Sequence, residues 1–366
     1  MTDLFSPIKL GNLELPNRIA VAPMCQYSAD DGSATEWHLQ HWMNLAMSGA
    51  GMITVEMTDV ERRGRISHGC LGLYSDANED AAKRTLDAAK RVAIPGTKFG
   101  VQLAHAGRKA SNQRPWEGGG PLTADQDPWP IVSASAVAYD DGWQTPHALS
   151  EEEIEAMVER FAEAAKRAAR VGYDFIELHS AHGYLLHQFI SPLSNKRTDR
   201  FGGSLENRMR FPVAVAKAVA KAAPDLMIGA RISVTDWVEG GLTVEEGVEV
   251  ARAYKEAGLS YICCSSGGNS PLQKIPTGPG YQVHLAEKVS REAGIPTRAV
   301  GMIDDPHQAN EIVTSGKSEM VAVARALLAD PRWPWRAAAT LGHKFDAPPQ
   351  LARSASVMKK WATETA

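Results

Sequence analysis

Eight short apolar, β-branched stretches recur along this chain of 366 residues, at 19–22, 52–56, 98–103, 173–178, 227–232, 261–265, 297–300 and 320–324. Ala- and charge-rich segments with helical periodicity lie between most of them, and such alternation specifies a parallel sheet with crossover helices. Periodicity alone does not separate an open doubly wound sheet from a closed barrel. The count of eight favours an α/β fold of the (β/α)8 TIM-barrel type. A doubly wound dinucleotide fold would want Gly-x-Gly-x-x-Gly after its first strand, and the residues there are Pro23-Met24-Cys25-Gln26-Tyr27. Ser150 with Glu153 and Thr243 with Glu246 have capping-box spacing, and Asp305-Pro306 reads as another helix start. The leader around Gly11-Asn12 is flanked by apolar residues, so it predicts a small hairpin that plugs the bottom of the barrel. One domain over 1–366 is expected, with a C-terminal arm from about 345 to 366.

Composition narrows the partners. A net charge of -4 and no long basic run argue against nucleic acid. The start Met1-Thr2-Asp3-Leu4 has no basic or apolar leader, and no apolar run approaches membrane-spanning length, so a soluble cytoplasmic protein is expected. Cys25, Cys70, Cys263 and Cys264 form no Cys-x-x-Cys pair and suit a reducing compartment better than a zinc or iron–sulfur site.

Polar residues gather after the strands, where barrel enzymes bind substrate. They are Cys25 and Tyr27 after the first, Glu56 at the second, Gln102 and His105 at the third, and His179, His182 and Tyr184 at the fourth. Arg231 lies in the fifth, residues 265–268 follow the sixth, Gly301 the seventh and Arg325 the eighth. A glycine after strand seven and an arginine opening a helix after strand eight match a common phosphate site, although Ala324 stands where a glycine is expected. A phosphorylated cofactor follows. Long connections at about 104–150 and about 183–208 would shape the pocket.

Three stretches carry a resemblance: Pro23-Met24-Cys25-Gln26-Tyr27, His179-x-x-His182-x-Tyr184, and the run from Asn195-Lys196-Arg197-Thr198-Asp199 to Glu206-Asn207-Arg208. Together they resemble the old yellow enzyme family, and Cys25 with Tyr27 is similar to its thermophilic-like class, which includes xenobiotic reductases. The resemblance implies an FMN barrel that reduces activated alkenes, α,β-unsaturated carbonyl or nitro compounds, with NADPH or NADH. By matching positions, it implies that Ala22, Pro23, Met24, Cys25 and Met57 line the flavin ring, Met57 standing where a smaller residue is usual. It places Gln102 and Arg231 at the pyrimidine edge, and Gly301, Ala324 and Arg325 at the phosphate. Tyr27, His179 and His182 would bind substrate, Tyr184 would donate the proton, and Cys25 would tune the potential. Lys109 is a further candidate for the substrate pocket. The segment 347–353, with two prolines, reads as an extended, stiff arm that carries Arg353 into a neighbour's site in a homodimer or dimer-based homotetramer.

Two other functions remain open on the residues alone. His179 and His182, with His187 near, could ligate the metal of a barrel hydrolase. Cys25 could act as a flavin-linked redox sensor.

Overall fold

In the computed structural model, which describes residues 2–345 and 347–361, all eight stretches are parallel strands. They are β1 (Ile19–Val21), β2 (Met52–Asp59), β3 (Lys98–Ala104), β4 (Phe175–Ser180), β5 (Met227–Ser233), β6 (Ile262–Ser265), β7 (Thr297–Ala299) and β8 (Met320–Val323). Each pairs with its sequence neighbour, and β1 pairs with both β2 and β8, which closes the barrel. Helices α1 (Glu36–Ala46), α2 (Asp76–Val92), α3 (Glu151–Val171), α4 (Leu205–Ala222), α5 (Val244–Glu256), α6 (Val283–Ala293) and α7 (Pro306–Thr314) supply the crossovers.

The predicted caps form. Ser150 Oγ accepts from Glu153 N–H at 3.2 Å while Glu153 Oε2 accepts from Ser150 N–H at 2.8 Å, and Thr243 with Glu246 repeats the arrangement. Asp305 Oδ1 caps α7 through Gln308 N–H at 2.8 Å, with Pro306 in the first turn.

Side chains alternate across each strand, so one set faces the helices and the other the barrel axis. The outer set makes the main core, which includes Ile19, Ile53, Val101, Ile176, Ile232 and Val321. The axial set includes Met52, Phe175, Met227, Tyr261 and Met320. Strands Ile8–Leu10 and Leu13–Leu15 pair antiparallel as the hairpin, and their Leu10 and Leu15 are buried in this axial cluster. Burying each leucine contributes about 2 kcal/mol. The hairpin therefore seals the amino-terminal end of the barrel.

The tail corrects one expectation. Rather than an extended arm, residues Pro349–Ser354 form a 3-10 turn that leads into a helix over Ala355–Trp361, beside Trp333–Thr340. Proline fixes φ near the helical value and lacks an N–H that the first turn would leave unpaired, so Pro349 starts a helical turn here instead of a stiff strand. Arg353 is exposed on that turn.

Candidate active site

The first wall of the site follows β1. Cys25 and Tyr27 pack against Met57 of β2, Cys70 and Tyr184. A register shift between Val55 and Met57 bulges β2 at Glu56. Bulges re-aim side chains. Glu56 turns to the helix side, where it lies 3.2 Å from His38 of α1 and accepts the Gln26 N–H. It therefore braces the 23–27 loop. Tyr27 has φ +51, and its carbonyl accepts from Arg114 Nε at 3.0 Å. A left-handed tyrosine is costly, and such strain persists where the surroundings over-determine it. Burial, with Cys70 and Glu56 nearby, pushes the Cys25 thiol up, so it is held protonated.

The second wall is the end of β4. The His179 ring packs edge-on against His182 at 5.1 Å and against Tyr184 at 4.7 Å. Hydrogen bonds assign the imidazole protons. Ala181 N–H donates to His179 Nδ1 at 3.3 Å, so Nε2 carries the proton and faces His182 Nδ1 at 3.4 Å. His182 Nε2–H then donates to Ser265 Oγ at 2.8 Å. Burial, then the Arg231 guanidinium, pushes both imidazoles well below their usual range. They are neutral donors at pH 7. Burial, with Cys25 and Tyr27 nearby, pushes Tyr184 well up, which keeps its phenol protonated. His182 has φ +59; Ser233 Oγ holds its N–H at 3.0 Å and Lys109 Nζ its carbonyl at 3.0 Å.

Beside these walls opens a cavity of about 740 Å³ lined by His182, Arg231, Ser265, Gly301, Ala324 and Arg325 among others. That volume lies within the usual range for small-molecule sites. Among the described residues neither Arg231 nor Arg325 has an ion-pair partner, and the buried Arg231 Nε has no hydrogen-bond partner. Gly301 has φ +129, and a Cβ there would meet Gln282 Nε2 at 2.9 Å and the Tyr281 ring at 3.0 Å. The missing Cβ thus makes room for Gln282 and Tyr281 in the cavity wall, which Arg325, the first residue of Arg325–Ala329, also lines. Two cations without ion-pair partners among the described residues, in one cavity of this size, fit a phosphorylated ring cofactor. Gln102 lies one layer deeper, where its Nε2 donates to Glu177 Oε1 at 2.8 Å.

Several candidates take other places. Lys109 Nζ donates to the His182 and Gly268 carbonyls at 3.0 and 2.9 Å and lies between the Tyr139 and Tyr184 rings, leaving one N–H for a ligand. Burial lowers it to about 8. His105 turns away from the pocket to Glu61, 2.8 Å distant. Burial alone would raise Glu61, but His105 and Arg63 more than offset it and hold the carboxyl down at about 2. The run 195–208 braces the rim: Asn195 Nδ2 donates to the Phe189 and Phe201 carbonyls at 2.8 Å, and Arg197 to the Ala134 and Leu149 carbonyls. His187 is buried 3.2 Å from Asp236, so the third imidazole that a metal centre would recruit is committed elsewhere. Among the described residues no group of three or more His, Cys, Asp or Glu is arranged to hold a metal ion. Sequence reasoning missed Asp236 and Glu177, because a carboxylate in or just beyond an apolar strand shows its partner only once the barrel is closed.

A closed parallel barrel whose one rim holds neutral imidazoles, a protonated phenol and two arginines without ion-pair partners among the described residues fits a flavin-dependent oxidoreductase. The chain belongs to the NADH:flavin oxidoreductase / NADH oxidase family, whose model matches residues 3–343. It is 40% identical over 354 residues to the NADPH dehydrogenase of Geobacillus thermodenitrificans (strain NG80-2), covering 96% of this chain and 98% of that protein. The NADPH dehydrogenase of Bacillus subtilis (strain 168) is 40% identical over 353 residues, again with 96% and 98% covered. Among solved structures, morphinone reductase in complex with tetrahydroNAD superimposes with a TM-score of 0.75 at 28% identity, covering 96% of this chain and 94% of that one. The protein is thus an oxidoreductase with FMN as cofactor and a nicotinamide cosubstrate. No helix among the described residues is long and apolar enough to cross a membrane.

Proposed function

We propose that the enzyme reduces the activated C=C bond of α,β-unsaturated carbonyl or nitro compounds, xenobiotics included, with NAD(P)H and acceptor occupying the same site in turn. FMN held there would supply a hydride carrier between the nicotinamide and the alkene β-carbon. The observation that carries the reading is the His179, His182 and Tyr184 cluster, in which two neutral imidazoles and a locked phenol meet beside the cavity. A carbonyl or nitro oxygen there accepts the His179 Nε2–H. His182 joins it by moving its proton to Nδ1, since Ser265 Oγ, at 2.8 Å, can donate to Nε2 as readily as accept. Each donor stabilises developing enolate charge by a few kcal/mol. Tyr184 supplies the proton at the α-carbon, and Tyr27 and Lys109 complete the acceptor's surroundings.

Ala22, Pro23, Met24, Cys25 and Met57 would line the ring face, Gln102 and Arg231 would hold its pyrimidine edge, and Gly301, Ala324 and Arg325 would hold the phosphate. Cys25 tunes the potential; a sensor would need a reactive thiolate, and the protonated thiol favours tuning. We assign the protein to the cytoplasm, as a homodimer or dimer-based homotetramer in which Arg353 of one subunit completes the site of the next; its exposure on the terminal turn leaves it available. The test is rapid-mixing kinetics on the yellow holoenzyme. Tyr184→Phe should slow reoxidation by enones at least tenfold while reduction by NAD(P)H stays near wild type. Equal losses in both halves would overturn the assignment.

A further inference from the structure

The layer of the barrel axis directly beneath the cavity holds a buried polar network. Gln102 and Glu177 are aligned in register on β3 and β4, and Glu177 lies two residues before His179 on the same face. Gln102 Nε2 donates to Glu177 Oε1 at 2.8 Å and Tyr261 Oη donates to Oε2 at 2.9 Å. Arg298 Nη2 pairs with Oε2 as well, and Arg298 Nη1 donates to Thr54 Oγ1 at 3.3 Å. The Arg298 guanidinium lies over the Tyr261 ring at 5.1 Å, a crossing made possible by Gly229, where a Cβ would meet that ring at 2.1 Å. Glu177 and Arg298 are fully enclosed, at 0% and 1% exposure.

A buried carboxylate without a partner costs several kcal/mol, and so does a lone buried guanidinium. Here each offsets the other. Burial alone would lower Arg298, and Glu177 more than reverses that. Arg231 stands differently. It is aligned with His179, one layer above Glu177, and among the described residues it has no carboxylate partner. The Glu177 carboxylate one layer below it is already paired with Arg298, so that acid does not oppose the Arg231 charge.

We propose that Glu177 and Arg298 are a positioning and charge-balancing pair for the flavin. Glu177 fixes which face of the Gln102 amide meets the cofactor, and Arg298 cancels the Glu177 charge so that Arg231 acts on the reduced ring as an unopposed cation. With one Nε2–H committed across the layer to Glu177, Gln102 offers the ring its Oε1 and the remaining Nε2–H in one fixed orientation. The proposal rests on FMN in this cavity and not on the identity of the acceptor.

The experiment measures the midpoint potential of bound FMN against a reference dye, with FMN affinity measured alongside. Glu177→Gln leaves Arg298 unopposed beneath the floor and should raise the reduced-to-oxidised ratio at fixed poise about tenfold, or about 30 mV for the two-electron couple. Arg298→Met should lower that ratio by a similar factor. Arg298→Lys, which keeps the charge, and the neutral double variant Glu177→Gln/Arg298→Met should both return to within about threefold of wild type. A merely structural role would loosen FMN without ordering the potentials by charge. Any other order, or single variants within threefold of wild type, overturns the pair. If Arg298→Met does not fold, Glu177→Gln and the double variant decide alone. A wild-type protein that binds no FMN would instead refute the cofactor itself, so the two failures are distinguishable.

Discussion

Asp236→Asn should cost about 3 kcal/mol of stability and disturb the catalytic turn with it. Asp236 is fully buried, and its Oδ2 accepts from Ser191 Oγ–H at 2.6 Å and Leu242 N–H at 2.8 Å, while Oδ1 lies 3.2 Å from His187 Nε2. His187 Nδ1 accepts the Gly183 N–H at 2.9 Å, so the proton of a neutral His187 sits on Nε2 and points at Asp236. An asparagine matches the shape but turns one acceptor into a donor. Set towards Leu242 it faces a backbone N–H, and set towards His187 it faces an N–H that can be moved only by orphaning Gly183. Every amide orientation therefore strands one buried donor, at about 1–3 kcal/mol, and removes charge assistance from the other bonds. Urea unfolding followed by tryptophan fluorescence should show a lower midpoint at unchanged slope. Burial alone would raise the carboxyl, but His187, Leu242 and Ser191 more than offset it and hold it below its usual range. A depressed carboxyl contributes stability above its unfolded pKa, and that contribution fades as pH falls through the folded value. The gap between wild type and variant should thus be level from pH 6 to 8 and narrow below about pH 4. Because Gly183 anchors the turn between His182 and Tyr184, acceptor kcat/KM should also drop at least tenfold. A stability loss under 1 kcal/mol at pH 7 would refute this account of the turn.

Three further outcomes are expected. His182→Ala should weaken binding of phenolate ligands about tenfold or more, read as loss of a long-wavelength band over the flavin; an unchanged titration would remove His182 from the oxygen site. Cys25→Ala should shift the flavin potential and change both half-reaction rates without abolishing turnover, whereas an inactive, flavin-loaded variant would mean that the thiol reacts covalently. Arg353→Ala should raise the acceptor KM severalfold while sedimentation still reports an oligomer, and a wild-type protein that sediments as a monomer would dismiss the shared site.

The barrel was legible because each strand is a short apolar run and several crossovers, α3, α5 and α7 among them, open on a cap whose spacing is local. The rim positions were legible for a similar reason: Cys25 and Arg325 lie a few residues past the ends of β1 and β8, and His179 is the penultimate residue of β4. Glu177, Arg298 and Asp236 were not, since a charge in or just beyond an apolar strand reads the same whether it faces the axis or a loop, and only closure brings residues 121 positions apart into one ion pair. His105 misled for the opposite reason. It stands at a strand end, but the Glu61 carboxylate on the adjacent connection draws it outward. The tail misled because two prolines suggest extension, while a proline in a first turn equally begins a helix.

The sealed end of the barrel governs traffic. With Leu10 and Leu15 packed across the bottom, reactants reach the cavity from the opposite rim, where His182 stands. With nicotinamide and acceptor sharing one site, as proposed above, a spent nicotinamide would block the incoming acceptor until it departs, and an excess of either reactant should obstruct the other. Throughput would then peak at intermediate concentrations of both, a limit set by the doorway rather than by the chemistry behind it.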